Sequence, residues 1–280
     1  MNIKGMSYIS LGVACAAVTL MPVSQAPASN TDFTAAAGQP ASVSPAQSIA
    51  NFKAINYKSA IALNTDGDIS RVYGKAFSHG QTGAISASRF LQQNLQMWGV
   101  PANQLVAEGP FDDGRHTQQI GYLPEFDDYK FTGHYYKQIV DGVPVFRSKL
   151  VLLTRNEANN PLVLASSELR NLAGFELDPQ LKRQSINHAR ILKNAEQHFN
   201  LGVILDSSER VIYAGVENAP HAPVFAYKST VEINGFEKYL VVTDAATGQV
   251  LFTESLIHVL DISGNVSGVA SQGPGADFCE

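Results

Sequence analysis

Residues 129–167 read YKFTGHYYKQIVDGVPVFRSKLVLLTRNEANNPLVLASS, a pattern that predicts strand, turn, strand, loop, strand. Residues 129–140 are rich in aromatic and β-branched side chains, which suit a pleated, half-buried surface. Asp141-Gly142 is a turn dipeptide, because glycine reaches positive φ without steric cost. Residues 145–154 form a second β-rich run, and Asn159-Asn160-Pro161 interrupts the chain before a third at 162–166. Along the first run Phe131, Gly133, Tyr135, Lys137 and Ile139 share one face, and Thr132, His134, Tyr136, Gln138 and Val140 the other. The expectation is a half-buried sheet whose less buried face is open to a partner.

Upstream, residues 52–63 carry Phe52, Ile55, Tyr57, Ile61 and Leu63, an early strand or a packing arm. Asp66-Gly67-Asp68 reads as a plain turn, since the further acidic ligands of a calcium loop do not follow. Residues 69–75 read as a strand. Residues 85–98 read as a helix, with Phe90, Leu91, Leu95 and Trp98 on one apolar face and Ser86 as N-cap. Gly99 and Pro101 close it. Further extended segments are expected at 105–106 and 118–123, with a loop at 109–114 and a turn at 124–128.

Downstream, residues 172–183 form a polar connection containing Asp178-Pro179, where a module boundary is expected. Residues 185–199 read as a second amphipathic helix, capped by Ser185. Strands follow at 210–214, 224–233, 239–244 and 249–254, with Asn234-Gly235 and Thr247-Gly248 as turn signals. Each half therefore runs helix, then antiparallel strands. The expected fold is α+β, in two tandem modules, each a helix packed on an antiparallel sheet.

The run Tyr136-x-Gln138-x-x-x-Gly142-Val143-Pro144-Val145-Phe146 resembles the propeptide module shared by thermolysin-like and fungalysin-like secreted metalloproteases. Phe90-Leu91, Asn94 and Trp98-Gly99 occupy the places of that module's helical segment. Residues 239–251, YLVVTDAATGQVL, resemble the ending of PepSY-type domains, with a departure at Val242-Thr243. The resemblance spans about residues 69 to 254 and implies cystatin-like and PepSY-like modules. The expected organisation is a signal peptide at 1–28, a flexible leader at 29–50, read from its small residues and prolines, and a propeptide module at 51–171. A linker at 172–184, a PepSY-like module at 185–256 and the start of a further region or linker at 257–280 would follow.

What the resemblance implies in function is a non-catalytic pro-region, the intramolecular chaperone and inhibitor of a secreted zinc metalloprotease. Its partner would be the catalytic domain, in cis or in trans, and zinc would belong to that domain alone. Tyr135, Tyr136, Gln138, Val145 and Phe146 are the candidate docking residues, and Gly142, Pro144, Asp244 and Gly248 the structural residues of the motifs. The alternative is an interaction module of a large secreted or cell-surface protein without protease activity.

Composition agrees with an extracellular chain. The 280 residues carry a formal charge of −5 and only 16% charged side chains, against roughly 25% in an average globular protein. Mild acidity without a Lys/Arg cluster argues against nucleic-acid binding. Lys4, the apolar run 9–21 and Ala26-Pro27-Ala28 form a secretory signal, with cleavage expected before Ser29. That run is shorter than the roughly 20 residues that span a bilayer, so no stable membrane anchor is expected. Cys15 would leave with the signal, and Cys279 would then have no internal partner.

Reactive constellations are missing from the sequence. No H-E-x-x-H or G-x-S-x-G occurs, and there is no glycine-rich phosphate loop. His188 and His198 share a helix but lie roughly 1000° of turn apart. Asp112-Asp113 and Asp127-Asp128 are adjacent carboxylates, which on a strand point to opposite sides. The chain is not expected to be an enzyme by itself.

Overall fold

The computed structural model describes residues 43–172, 174–217 and 219–256, all within one compact unit. The expected signal peptide, residues 29–42 of the expected leader, the region 257–280 and Cys279 lie outside the described residues. In chain order the elements are α1 (Pro45–Ile55), β1 (Ser59–Leu63), β2 (Ile69–Ser78), α2 (Gly83–Asn94), β3 (Leu105–Ala107), β4 (Thr117–Leu123), β5 (Asp128–Val140), β6 (Val143–Arg155), β7 (Leu162–Ser167), α3 (Pro179–Arg183), α4 (His188–Phe199), β8 (Val203–Val216), β9 (Ala219–Ile233), β10 (Glu237–Asp244) and β11 (Val250–Ser255).

The strands join into a single 11-stranded sheet, ordered β1-β2-β7-β6-β8-β9-β10-β11, with β5 on β6 and β3 and β4 on β5. This corrects the expected α+β fold of two tandem helix-on-sheet modules: the protein is mainly β and its sheet is continuous and mixed. The reason is local to β6. Its first residues pair with β5, Val143 opposite Val140 and Pro144 opposite Ile139, while Val145 bridges in parallel to Ile212 of β8. Beyond Arg147, whose φ is 53°, the strand pairs with β5 and β7. A non-glycine residue in the left-handed region bends a strand, and the bend at Arg147 lets one strand serve both halves of the sheet.

The helices differ from expectation at their starts. Thr82 caps α2, its Oγ1 accepting from Ile85 N at 3.2 Å. Ser86 lies a turn further in and is fully buried. The α-helix ends at Asn94 and tightens to a 3-10 turn over Leu95–Trp98, closed by Gly99. Asn187, not Ser185, caps α4, its Oδ1 accepting from Arg190 N at 3.0 Å. Ser44 and Pro45 start α1 inside what reads as leader. Residues 172–183 are no passive connection either: Leu172 and Leu177 are buried in the core, and Asp178 caps α3.

Two cores result. Phe52, Phe77, Phe90 and Trp98 interlock edge-on or tilted between α1, β2 and α2, with centroids 5.2 to 6.4 Å apart. Such pairs are worth about 0.5–1.5 kcal/mol beyond area burial. In the other half Ile191, Ile212, Phe225 and Tyr227 pack with Val143 and Val145, so the start of β6 belongs to this second core.

Candidate functional site

The motif hairpin turns where the sequence predicts. Asp141 and Gly142 have φ of 50° and 81°, the paired positive angles of a two-residue hairpin loop. The β5 face carrying His134, Tyr136 and Gln138 is turned into the core, and Gly83 at the start of α2 lies against His134 and Thr154. Burial pushes the Tyr136 hydroxyl up to about 12. His134 places Nε2 3.1 Å from Thr154 Oγ1 and leaves Nδ1 without a partner. Burial, then the nearby charge of His116, lowers its pKa to about 4.

Gln138 is fully buried and uses all its polar capacity. Nε2 donates to Gln104 Oε1 at 3.0 Å and to the Arg170 carbonyl at 2.9 Å. Oε1 accepts from Ser148 Oγ at 2.6 Å and Arg170 N at 3.0 Å. A primary amide has two donors and two acceptor positions, so this glutamine is a structural knot tying β5, β6 and the segment after β7.

The expected docking residues are therefore mostly closed to a partner. Tyr136, Gln138, Val145 and Phe146 are buried in this fold. Val145 packs in the second core, and Phe146 meets Tyr213 and Phe252 at 5.8 and 5.5 Å. Tyr135, on the outer face, is half-buried; its hydroxyl donates to Gln118 Oε1 at 2.8 Å and its ring meets Phe111 edge-on. The structural residues do local work. Pro144 is half-buried opposite Ile139, and Asp244 Oδ1 accepts from Ala246 N and Thr247 N at 2.8 and 2.6 Å. Gly248 closes that turn with φ of 82°.

An exposed aromatic group lies elsewhere, at the tip of the β4–β5 hairpin. Phe126 is 76% exposed there, and Tyr122 and Tyr129 stand beside it with rings 5.2 Å apart. Tyr122 OH donates to Asp127 Oδ1 at 2.6 Å, which raises the tyrosine's pKa. Beside the tip opens a cleft of about 770 Å³ lined by Phe126, Tyr129, Phe131, Lys130, Arg155 and Glu157, among others. In the sequence, residues 124–128 read only as a turn. The available signal was an aromatic set among turn residues, Pro124-Glu125-Phe126-Asp127, where nothing local can bury it.

Among the described residues no three His, Cys, Asp or Glu side chains gather as a metal site, and no helix is long and apolar enough to cross a membrane. His188 and His198 fall at opposite ends of α4. The chain matches no protein-family model and no curated protein sequence.

Proposed function

We propose that the chain is a non-catalytic pro-region that binds the catalytic domain of a secreted zinc metalloprotease, helps that domain fold and restrains it. The observation that carries the binding role is the exposed aromatic tip, Tyr122, Phe126 and Tyr129, over a cleft rimmed by both signs of charge. Exposed aromatics flanked by polar groups mark recognition surfaces. The identity of the partner rests on the resemblance of residues 136–146 and 239–251 to protease pro-regions. In this reading the motif residues hold the fold together, and the hairpin tip meets the enzyme. Inhibition is non-covalent, through surface burial by a preorganised module.

The test adds the purified chain to the catalytic domain of a thermolysin-like or fungalysin-like protease. Slowed peptide hydrolysis and a higher yield of refolded protease are expected, and Phe126→Ser weakens both. If neither rate nor yield moves, the proposal is lost. Capture of a partner other than a protease by the same tip replaces it with the interaction-module reading.

A further inference from the structure

A second cleft, of about 580 Å³, opens beside the first turn of α4. That volume falls within the roughly 300–1,000 Å³ of small-molecule pockets. Ser185, Ile186, His188, Arg190, Tyr227 and Ala245 line it, and no aspartate or glutamate does.

The charge around this cleft runs against that of the chain. The whole protein carries a formal −5, yet residues 179–195 contain Lys182, Arg183, Arg190 and Lys193 and no acid. No carboxylate pairs with any of these four among the described residues. Asp244, just before Ala245, turns its Oδ1 to the N–H groups of Ala246 and Thr247. Arg190 is fixed by donating to the Ala245 and Ala246 carbonyls at 3.3 and 2.7 Å, which hold its guanidinium without neutralising it. The N-terminal end of a 12-residue helix with no acid in its first turn adds a positive dipole. Two of the amides there are already used: Asn187 Oδ1 takes the Arg190 N–H and the Ile186 carbonyl the His188 N–H. The side chains of Ser185 and His188 make no hydrogen bond among the described residues.

Tyr227 is an independent sign of a ligand. It stands in β9 opposite Thr243, on the face that packs with Ile191 of α4, with its ring 5.9 Å from that of Phe225. The residue is only 6% exposed, and its hydroxyl makes no hydrogen bond among the described residues. Buried tyrosine hydroxyls usually find a partner. This oxygen is not one of the sealed, unpartnered atoms of the interior, so it reaches the cleft that Tyr227 lines.

We propose that this cleft binds a small organic anion with a carboxylate or phosphate headgroup. The Tyr227 hydroxyl and His188 imidazole donate to the headgroup, and the Arg190 charge and the α4 dipole attract it. The volume is many times that of a bare oxyanion, so the ligand has a body, which lies against Ile186 and Ala245. The site shares no residue with the hairpin-tip cleft and does not rest on the protease reading.

The experiment titrates the ¹⁵N-labelled full chain with benzoate, phenyl phosphate, inorganic phosphate and neutral benzyl alcohol, at constant ionic strength held by chloride. Saturable shifts of the amides of residues 185–190 are expected with benzoate and phenyl phosphate. The tighter of the two identifies the headgroup, and inorganic phosphate binds more weakly than either. Tyr227→Phe removes an unpartnered hydroxyl, so it should leave the unfolding midpoint unchanged while weakening binding about tenfold. Arg190→Gln should weaken it as much; if that variant does not fold, Tyr227→Phe and the wild-type titration carry the test. No saturable shift, equal binding of benzyl alcohol, or unchanged affinity in Tyr227→Phe overturns the proposal.

Discussion

Arg147 and Glu254 are 107 positions apart in the chain and form an ion pair, with the Arg147 guanidinium also 5.0 Å from the Phe252 ring and 5.3 Å from the Phe146 ring. The contact joins the bend of β6 to the last described strand, so it closes the second half of the sheet against the strand that links both halves. Both side chains keep a little over a third of their surface open to solvent, and such partly exposed ion pairs contribute about 0–1 kcal/mol. Stacking and stem packing of the arginine add to that. Glu254→Gln is therefore expected to cost under about 1 kcal/mol, and the loss should shrink in high salt. Arg147→Ala should cost about 1–2 kcal/mol, largely independent of salt. Urea denaturation at two ionic strengths separates the contributions; equal, salt-sensitive losses for both variants would mean the rings contribute nothing.

Gln138→Leu removes the amide but keeps most of its volume. The Arg170 backbone N–H and carbonyl and the Ser148 hydroxyl would then be stranded in the core. Each stranded group costs about 1–3 kcal/mol, so a loss on the order of 3 kcal/mol or more is expected in the unfolding midpoint. Gln138→Glu should also destabilise, since a carboxylate cannot donate to the Arg170 carbonyl. A loss below about 1 kcal/mol for the leucine variant would show that the knot is not cooperative.

Acid stability should depend on His134. Its folded pKa is about 4, because burial and then His116 disfavour the imidazolium; unfolded, it titrates near 6.5. A lowered folded pKa means the unfolded chain binds the proton first. The contribution is therefore complete above about pH 6.5 and disappears as pH falls toward 4. The span corresponds to about 3 kcal/mol. His134→Gln keeps a polar atom towards Thr154 and does not titrate. Urea midpoints between pH 7.5 and 4.5 should fall less steeply in this variant; parallel slopes would move the acid sensitivity to another group.

The hairpin tip makes the opposite kind of prediction. Phe126 is mostly exposed, so Phe126→Ser should leave stability within about 0.5 kcal/mol of the parent. Its effect belongs to partner binding, and calorimetric unfolding run beside the refolding assay separates the two. A large drop in stability would assign the ring to packing.

How legible this was follows from the range of each signal. The β5–β6 turn could be read because Asp141-Gly142 encodes it in two adjacent residues. The joining of the two halves could not, because one parallel bridge, Val145 to Ile212, carries it over 67 residues without a local pattern. Alternation sorted β5 into two faces correctly, but it contains nothing about which face α2 covers. Tyr136 and Gln138 therefore read alongside Tyr135 as docking residues. Gln138 misleads further, since a glutamine reads as surface until its four hydrogen bonds are known. Helix starts slipped for a similar reason: Thr82 and Ser86, or Ser185 and Asn187, all have capping chemistry, and only the tertiary direction of the chain selects one.

Gly142 and Gly248 make a matched pair for the last prediction. Both have φ near 80°, a region where an L side chain is strained. A Cβ on Gly142 would meet nothing within 4 Å, so Gly142→Ala should cost only the backbone strain, about 1 kcal/mol. A Cβ on Gly248 would stand 2.5 Å from Asn194 Nδ2 and 3.2 Å from Arg190 Nε and Nη2. Arg190 is the group that holds the Ala245 and Ala246 carbonyls at 3.3 and 2.7 Å, tying α4 to the turn after β10. Gly248→Ala must therefore strain the backbone, move the Asn194 amide and displace the Arg190 guanidinium that docks the helix by a few tenths of an ångström. A loss of about 2–3 kcal/mol is expected, with faster hydrogen exchange in α4 that Gly142→Ala does not cause. Equal losses for the two variants, with α4 exchange unchanged, would show that the Arg190 contacts yield without consequence.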